Sequence, residues 1–340
     1  MDVRLGHDQI TIGSLSIAFH RTLRLPDDGN DYPLPPSLGR FPICRVEDYS
    51  DRVPATWPAH GGVFIPMYQR EAAWISFATP HWLPRAVKVA VGMVNAISGE
   101  PWREPVVPGA EQDYLVCPPQ PWLDGINAGE GIVRQFVAMP LGMGYTVEGQ
   151  VSGEEQFGGI QLVVFEPKAG RFPTVPPPPG RFRVAAEFAP MAEAASAPIE
   201  GAEMGIAAGG RMEQAIYPDP HGADTWDNTR TARVYVHIVN SVLYEQITGR
   251  KAPETPVTAR TYAEHGLPWF DLYDEHLGDV ARSDTLAGVK SVKEVDTDKG
   301  YGPQQDDRPV DVPDHVVKKA NVLPQPARAK DVVADGDWSR

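Results

Sequence analysis

A chain of 340 residues, 42% of them hydrophobic, carries enough apolar material for a substantial core and is not a disordered polymer. A formal charge of −14 without any basic block argues against nucleic acid, whose phosphates demand clustered Lys and Arg, and against an anionic membrane surface. No apolar run is long enough for a membrane-spanning helix, and residues 1–8 lack the basic-then-apolar pattern of a secretory signal, so the cytoplasm is the expected compartment.

The 35 prolines, about twice an average usage of roughly 5%, fall between apolar runs and favour short strands and ordered loops over long helices. Residues 10–19 alternate with period two and 21–25 carry a second extended pattern before the turn at 26–29, reading as strand, strand, turn. Further strands are expected at 62–66, 86–92, 113–117, 132–138, 145–151 and 159–165, short segments rich in β-branched and aromatic residues and bounded by Gly or Pro.

Together these predict a mainly β, α+β protein. A β-rich, sandwich-like domain spans 1–172, a proline-rich connector 173–180, and a smaller α+β portion 181–290, which could pack with the first as one unit. Strands are expected at 181–185, 211–217 and 232–240, an irregular or partly helical loop at 192–210, and helices at 241–248 and 258–265, closed by Gly249 and Gly266. Residues 291–340, polar and proline-interrupted, read as a flexible tail.

Three segments place a tryptophan beside an aspartate: Trp122 with Asp124, Trp226 with Asp227, and Trp269 with Asp271. A flat apolar ring next to a carboxylate can stack on a sugar or aromatic ligand while the acid accepts its hydroxyl hydrogen bonds. The same pairs are also what loop anchors look like, the ring buried and the acid capping a turn. The ligand-binding reading gives a non-enzymatic protein that recognises a small polar ligand, a saccharide for instance, or a protein partner.

A hydrolase is the alternative from another class, using acids among Asp124, Glu130, Asp219 and Asp227 with His221, which lies between Asp219 and Asp224 in an evident loop. A structural or assembly protein, joined through edge strands and Pro-rich segments, is a third reading. Asp271, Asp274, Glu275 and His276 are closely spaced oxygen and nitrogen donors, but no metal-site spacing accompanies them, and neither a metal nor a cofactor is expected. Gly142 and Gly144 begin like a dinucleotide loop, yet Val147 stands where the third glycine belongs. His237 reads as a packed or edge residue of a strand, and Cys44 and Cys117 could form at most one disulfide.

Overall fold

The alternating segment at 10–19 turns back on itself at Gly13, whose φ of +58° suits a residue without a Cβ. Ile10–Ile12 therefore pairs with Leu15–Thr22 through Ile10↔Ile17 and Ile12↔Leu15, and the second strand runs through the point where a break between 19 and 21 is expected. The computed structural model describes residues 1–6, 8–173, 175, 203–254, 258–264, 269–272, 277–310, 312, 316–319 and 331–339. Most of the proline connector and the strand expected at 181–185 lie outside these residues.

From Leu15–Thr22 an antiparallel ladder passes in turn to Ala72–Ala78, Ile132–Pro140, Glu203–Glu213, Trp226–Val239, Ile160–Pro167 and Arg85–Val91. With shorter strands it makes one sheet of 18 strands among the described residues. Val63–Pro66 and Asp31–Tyr32 join it in parallel. The protein is thus mainly β, with a few short helices. Strand pairing crosses the proline segment repeatedly, most extensively through 132–140 with 203–213 and through 160–167 with 226–239.

Two junctions in this ladder are only two residue pairs wide: Phe136↔Ala73 with Val137↔Ala72, and Glu203↔Val239 with Met204↔Ile238. Phe19, Ile75, Val89, Leu162 and Val236, from strands well separated along the ladder, accordingly meet in one apolar cluster. At a register shift between Arg134 and Phe136, the buried Gln135 accepts from the Leu25 amide at 2.9 Å and donates to the Leu23 carbonyl at 2.8 Å. A side chain here supplies the bonds that a ladder would otherwise make.

Two segments differ from expectation. Residues 147–152 are helical rather than extended: the Thr146 hydroxyl caps the Gly149 amide, and Gly153 closes the turn in the left-handed region. A local cap outweighs the strand-like composition of the segment. Residues 203–210, expected in a loop, belong to the strand Glu203–Glu213, because small side chains are what a tightly covered strand admits; a Cβ at Gly210 would lie 2.3 Å from the Pro26 carbonyl oxygen. Ser241–Thr248 is helical between an Asn240 cap and Gly249, as its sequence predicts.

The polar region after 291 makes buried contacts. Val292–Asp298 is a helix with a Ser291/Glu294 capping box, and its Val292 and Val295 pack against the sheet. Asp296, Asp306 and Asp307 then meet Arg24 and Arg70. Arg70 reaches Asp296 at 2.6 Å and Asp306 at 2.8 Å, Arg24 pairs with Asp306 and Asp307, and the Tyr145 hydroxyl donates to Asp296 at 2.6 Å. Composition alone reads such acids as solvated, but paired with the buried Arg24 and the half-buried Arg70 they become an inner surface. No helix among the described residues is long and apolar enough to cross a membrane.

Candidate functional site

Side-chain alternation along Leu15–Thr22 and Ala72–Ala78 sends Ile17, Phe19, Ile75 and Phe77 into the core. The opposite face then carries His20, Trp74 and Ser76. Register extends this face sideways, since Trp122 lies opposite Ser76 and Arg40 opposite His20. His20 stacks flat on Trp74, centroids 3.7 Å apart at 5°, and Trp74 meets Trp122 at 6.0 Å and 56°.

Both imidazole nitrogens have hydroxyl partners, Nδ1 with Ser37 at 3.0 Å and Nε2 with Ser76 at 2.9 Å. Arg40 pairs with Asp8 at 3.3 Å at the edge of the face. Trp74 and Trp122 are each only partly buried, so indole surface remains open to solvent. Trp74 Nε1, itself buried, finds no acceptor among the described residues. Such a donor is costly to leave unpaired, by about 1–3 kcal/mol.

Asp124 follows directly behind this face. Its carboxylate accepts from Gln214 Nε2 at 2.6 Å, while its amide donates to Gln214 Oε1 at 2.9 Å. Burial pushes the carboxyl up to about 7, opposed by hydrogen bonding from Gln214 and from the Trp122 indole. The acid therefore braces Trp122 from beneath rather than facing solvent.

The other candidate residues lie elsewhere. Trp226 is 1% exposed, and its indole N–H donates to Asp219 at 2.8 Å. The Tyr114 hydroxyl donates to the same Asp219 oxygen at 2.7 Å, so that carboxylate is committed to holding the loop. Its other oxygen accepts from the backbone amide of His221, whose ring is edge-on to Phe172 at 4.9 Å. Asp227 is solvent-exposed and accepts from the amide and hydroxyl of Thr229, ordinary turn chemistry that holds it below the usual carboxylate range.

Glu130 occupies a left-handed turn position, φ 59°, between Gly129 and Gly131. Trp269 is fully buried beside Tyr32, centroids 6.5 Å apart, and the side chain of Asp271 lies outside the described residues, as do Asp274, Glu275 and His276. The three tryptophans thus occupy three different surroundings: only Trp122 reaches an open face, and it does so with Trp74.

Comparison with protein families, with characterised proteins and with solved structures finds no match. Among the described residues no group of three or more His, Cys, Asp or Glu is placed to hold a metal ion. Cys44 and Cys117 are both buried free thiols, and burial raises both above the ordinary thiol range.

Sequence reasoning misses Trp74 and His20. The available signal is phase: in 16–20 and 74–78 the apolar Ile17, Phe19, Ile75 and Phe77 alternate with Ser16, Ala18, His20, Trp74 and Ser76. That pattern puts a large aromatic on the polar side of a strand.

Proposed function

We propose that the open face carrying His20, Trp74 and Trp122 binds a small polar ligand without chemical conversion, saccharides being the first class to consider. The observation that supports this is the row of partly exposed indoles across adjacent strands, stiffened by the His20 stack and by Asp124 behind Trp122. An indole offers a rigid apolar plane for the C–H face of a sugar ring. Ser76, Arg40 and Asp8 at its margin supply hydroxyl-directed donors and acceptors. Of the three Trp/Asp segments, the reading keeps Trp122 and Asp124 as ligand-facing and supporting residues. Trp226, Asp227 and Trp269 are left as anchors by their surroundings.

The test is titration of the full chain with a panel of mono- and oligosaccharides, read by tryptophan fluorescence and calorimetry, beside Trp74→Ala and Trp122→Ala. Loss of one stacking plane should weaken binding about tenfold, corresponding to ~1.4 kcal/mol. The proposal fails if no saccharide binds, or if both variants remain folded and bind as tightly as the parent.

A further inference from the structure

Residues 331–339 lie in a groove built from elements remote in sequence. Asp331–Val332 pairs antiparallel with Arg4 and Leu5, and the Val333 amide continues to the Val3 carbonyl at 2.8 Å. Past this point the segment crosses the turn after Trp57–His60. The Gly62 amide donates to the Ala334 carbonyl, and the Asp337 amide to the Ala59 carbonyl, each at 2.8 Å.

Glycines make the crossing possible. A Cβ at Gly336 would stand 2.2 Å from the Ala59 oxygen, and one at Gly61 2.7 Å from the Ala334 oxygen. Main-chain bonding of this kind supplies affinity and little selectivity, which side-chain pockets must add.

Three side-chain contacts provide that selectivity. Trp338 is 3% exposed, lying edge-on to Tyr235 at 5.6 Å and beside Trp102 at 6.2 Å. The Arg233 guanidinium covers its ring at 4.6 Å, donates to Asp335 at 2.7 Å and donates to the Gly336 carbonyl at 2.8 Å. Val333, 6% exposed, enters the main core. A buried Trp, an Arg that reads both charge and carbonyl, and an augmented strand edge form the pattern of a peptide-recognition groove with its hot spots.

We propose that this groove is a peptide-docking site that accepts the 331–339 segment of a second copy of the chain in place of its own. The groove reads Val333, Asp335, Gly336 and Trp338 together, and the peptide that satisfies it is the one each copy carries. Exchange replaces every contact with an identical one, so its equilibrium is governed by concentration rather than by new chemistry.

The experiment uses the full chain with a fluorescently labelled peptide of residues 331–340, read by anisotropy, and light scattering over a concentration series. The labelled peptide should bind saturably, and a Trp338→Ala peptide at least ~30-fold more weakly, the effect of losing a hot-spot side chain. The full-length Trp338→Ala chain, whose own segment is held less firmly, should capture the wild-type peptide at least ~30-fold better than the parent does. If that chain does not fold, Asp335→Asn takes its place; it removes one partly exposed ion pair, so the gain in capture expected of it is about two- to fivefold. The parent should show a dimer fraction that rises with concentration and is lost in the variant. A parent that stays monomeric throughout, or folded variants that capture the peptide no better than the parent, overturns the proposal.

Discussion

The imidazole of His20 lies flat against the indole of Trp74, 3.7 Å between centroids, with a serine hydroxyl at each ring nitrogen. His20→Ala removes the stack and both hydrogen bonds at once. Partial exposure of Ser37 and Ser76 lets water replace the bonds, so the expected loss of stability is about 1–2 kcal/mol, read from urea unfolding. Trp74 emission should shift in the same variant, because the ring loses its cover. An unchanged spectrum with unchanged stability counts against the stack as a support for the open face.

Asp124 gives a pH dependence with a definite sign. In the unfolded chain the carboxyl ionises near 3.8, in the fold near 7. Between those values the folded state keeps a proton that the unfolded state has released, so this group's contribution to stability falls as pH rises from about 4 to about 7. Asp124→Asn keeps an acceptor for Gln214 and has no charge to bury. It should match the parent near pH 4 and exceed it above pH 7 by a few kcal/mol, at about 1.4 kcal/mol per pKa unit. Melting temperatures of both proteins across pH 4–8 decide this; parallel curves contradict it.

His237 acts in the opposite direction. It is fully enclosed, stacked on Trp57 at 4.4 Å and near His60, and burial holds it well below the usual imidazole range. The unfolded chain takes up a proton near 6.5 that the fold refuses, so stability falls as the solution is acidified below that point. Replacing His237 with Phe should reduce acid sensitivity below pH 6, at a cost of about 1–3 kcal/mol at pH 8 because the Gly61 carbonyl loses the Nε2 donor 3.1 Å away. An equally steep acid limb in the variant assigns that sensitivity to other groups.

Arg70 meets Asp296 and Asp306 and lies 3.4 Å from Asp307. Arg70→Met leaves three acids to Arg24 alone, and one-sided loss from a buried pair costs about 3–5 kcal/mol. Adding Asp306→Asn should restore part of that loss by removing an unmatched charge. Chemical denaturation of the two variants measures both steps, and an additive double variant rules out the coupling.

Lys88 is 1% exposed yet donates to the carbonyls of Arg103 and Pro105 and to Asp113, at 3.0, 2.7 and 2.7 Å. Lys88→Met keeps the stem and leaves all three acceptors short of a donor, with an expected cost of about 3 kcal/mol. Hydrogen exchange should quicken over 103–113 before the rest of the sheet responds. Uniform acceleration means that the lysine supports the whole fold rather than this loop.

Strands with clear alternation or dense β-branching, such as 85–91, 132–140 and 160–167, are legible in the sequence because their patterning and their burial agree. So is the helix at 241–248, whose Asn240 and Gly249 mark its ends chemically. Val147–Ser152 is not, since one hydroxyl cap decides it against composition. Nor is the buried setting of 292–307, because the partners of its acids, Arg24 and Arg70, lie more than 200 residues away and no local pattern announces them. At the candidate site Trp122 is visible from its Pro, Asp and Gly neighbours. Its companion Trp74 is not, because what joins them is register between Trp122↔Ser76 and His20↔Trp74.

The pairing of Arg4 with Val332 also orders events in time. Val3–Leu5 cannot gain that neighbour until roughly 330 more residues have been added, which takes on the order of tens of seconds of synthesis. Throughout that interval the edge of Val3–Leu5 that later receives 331–332 is exposed on the nascent chain, a template for any extended segment that meets it. Until Asp331–Val332 arrives, that edge stays open to such pairing.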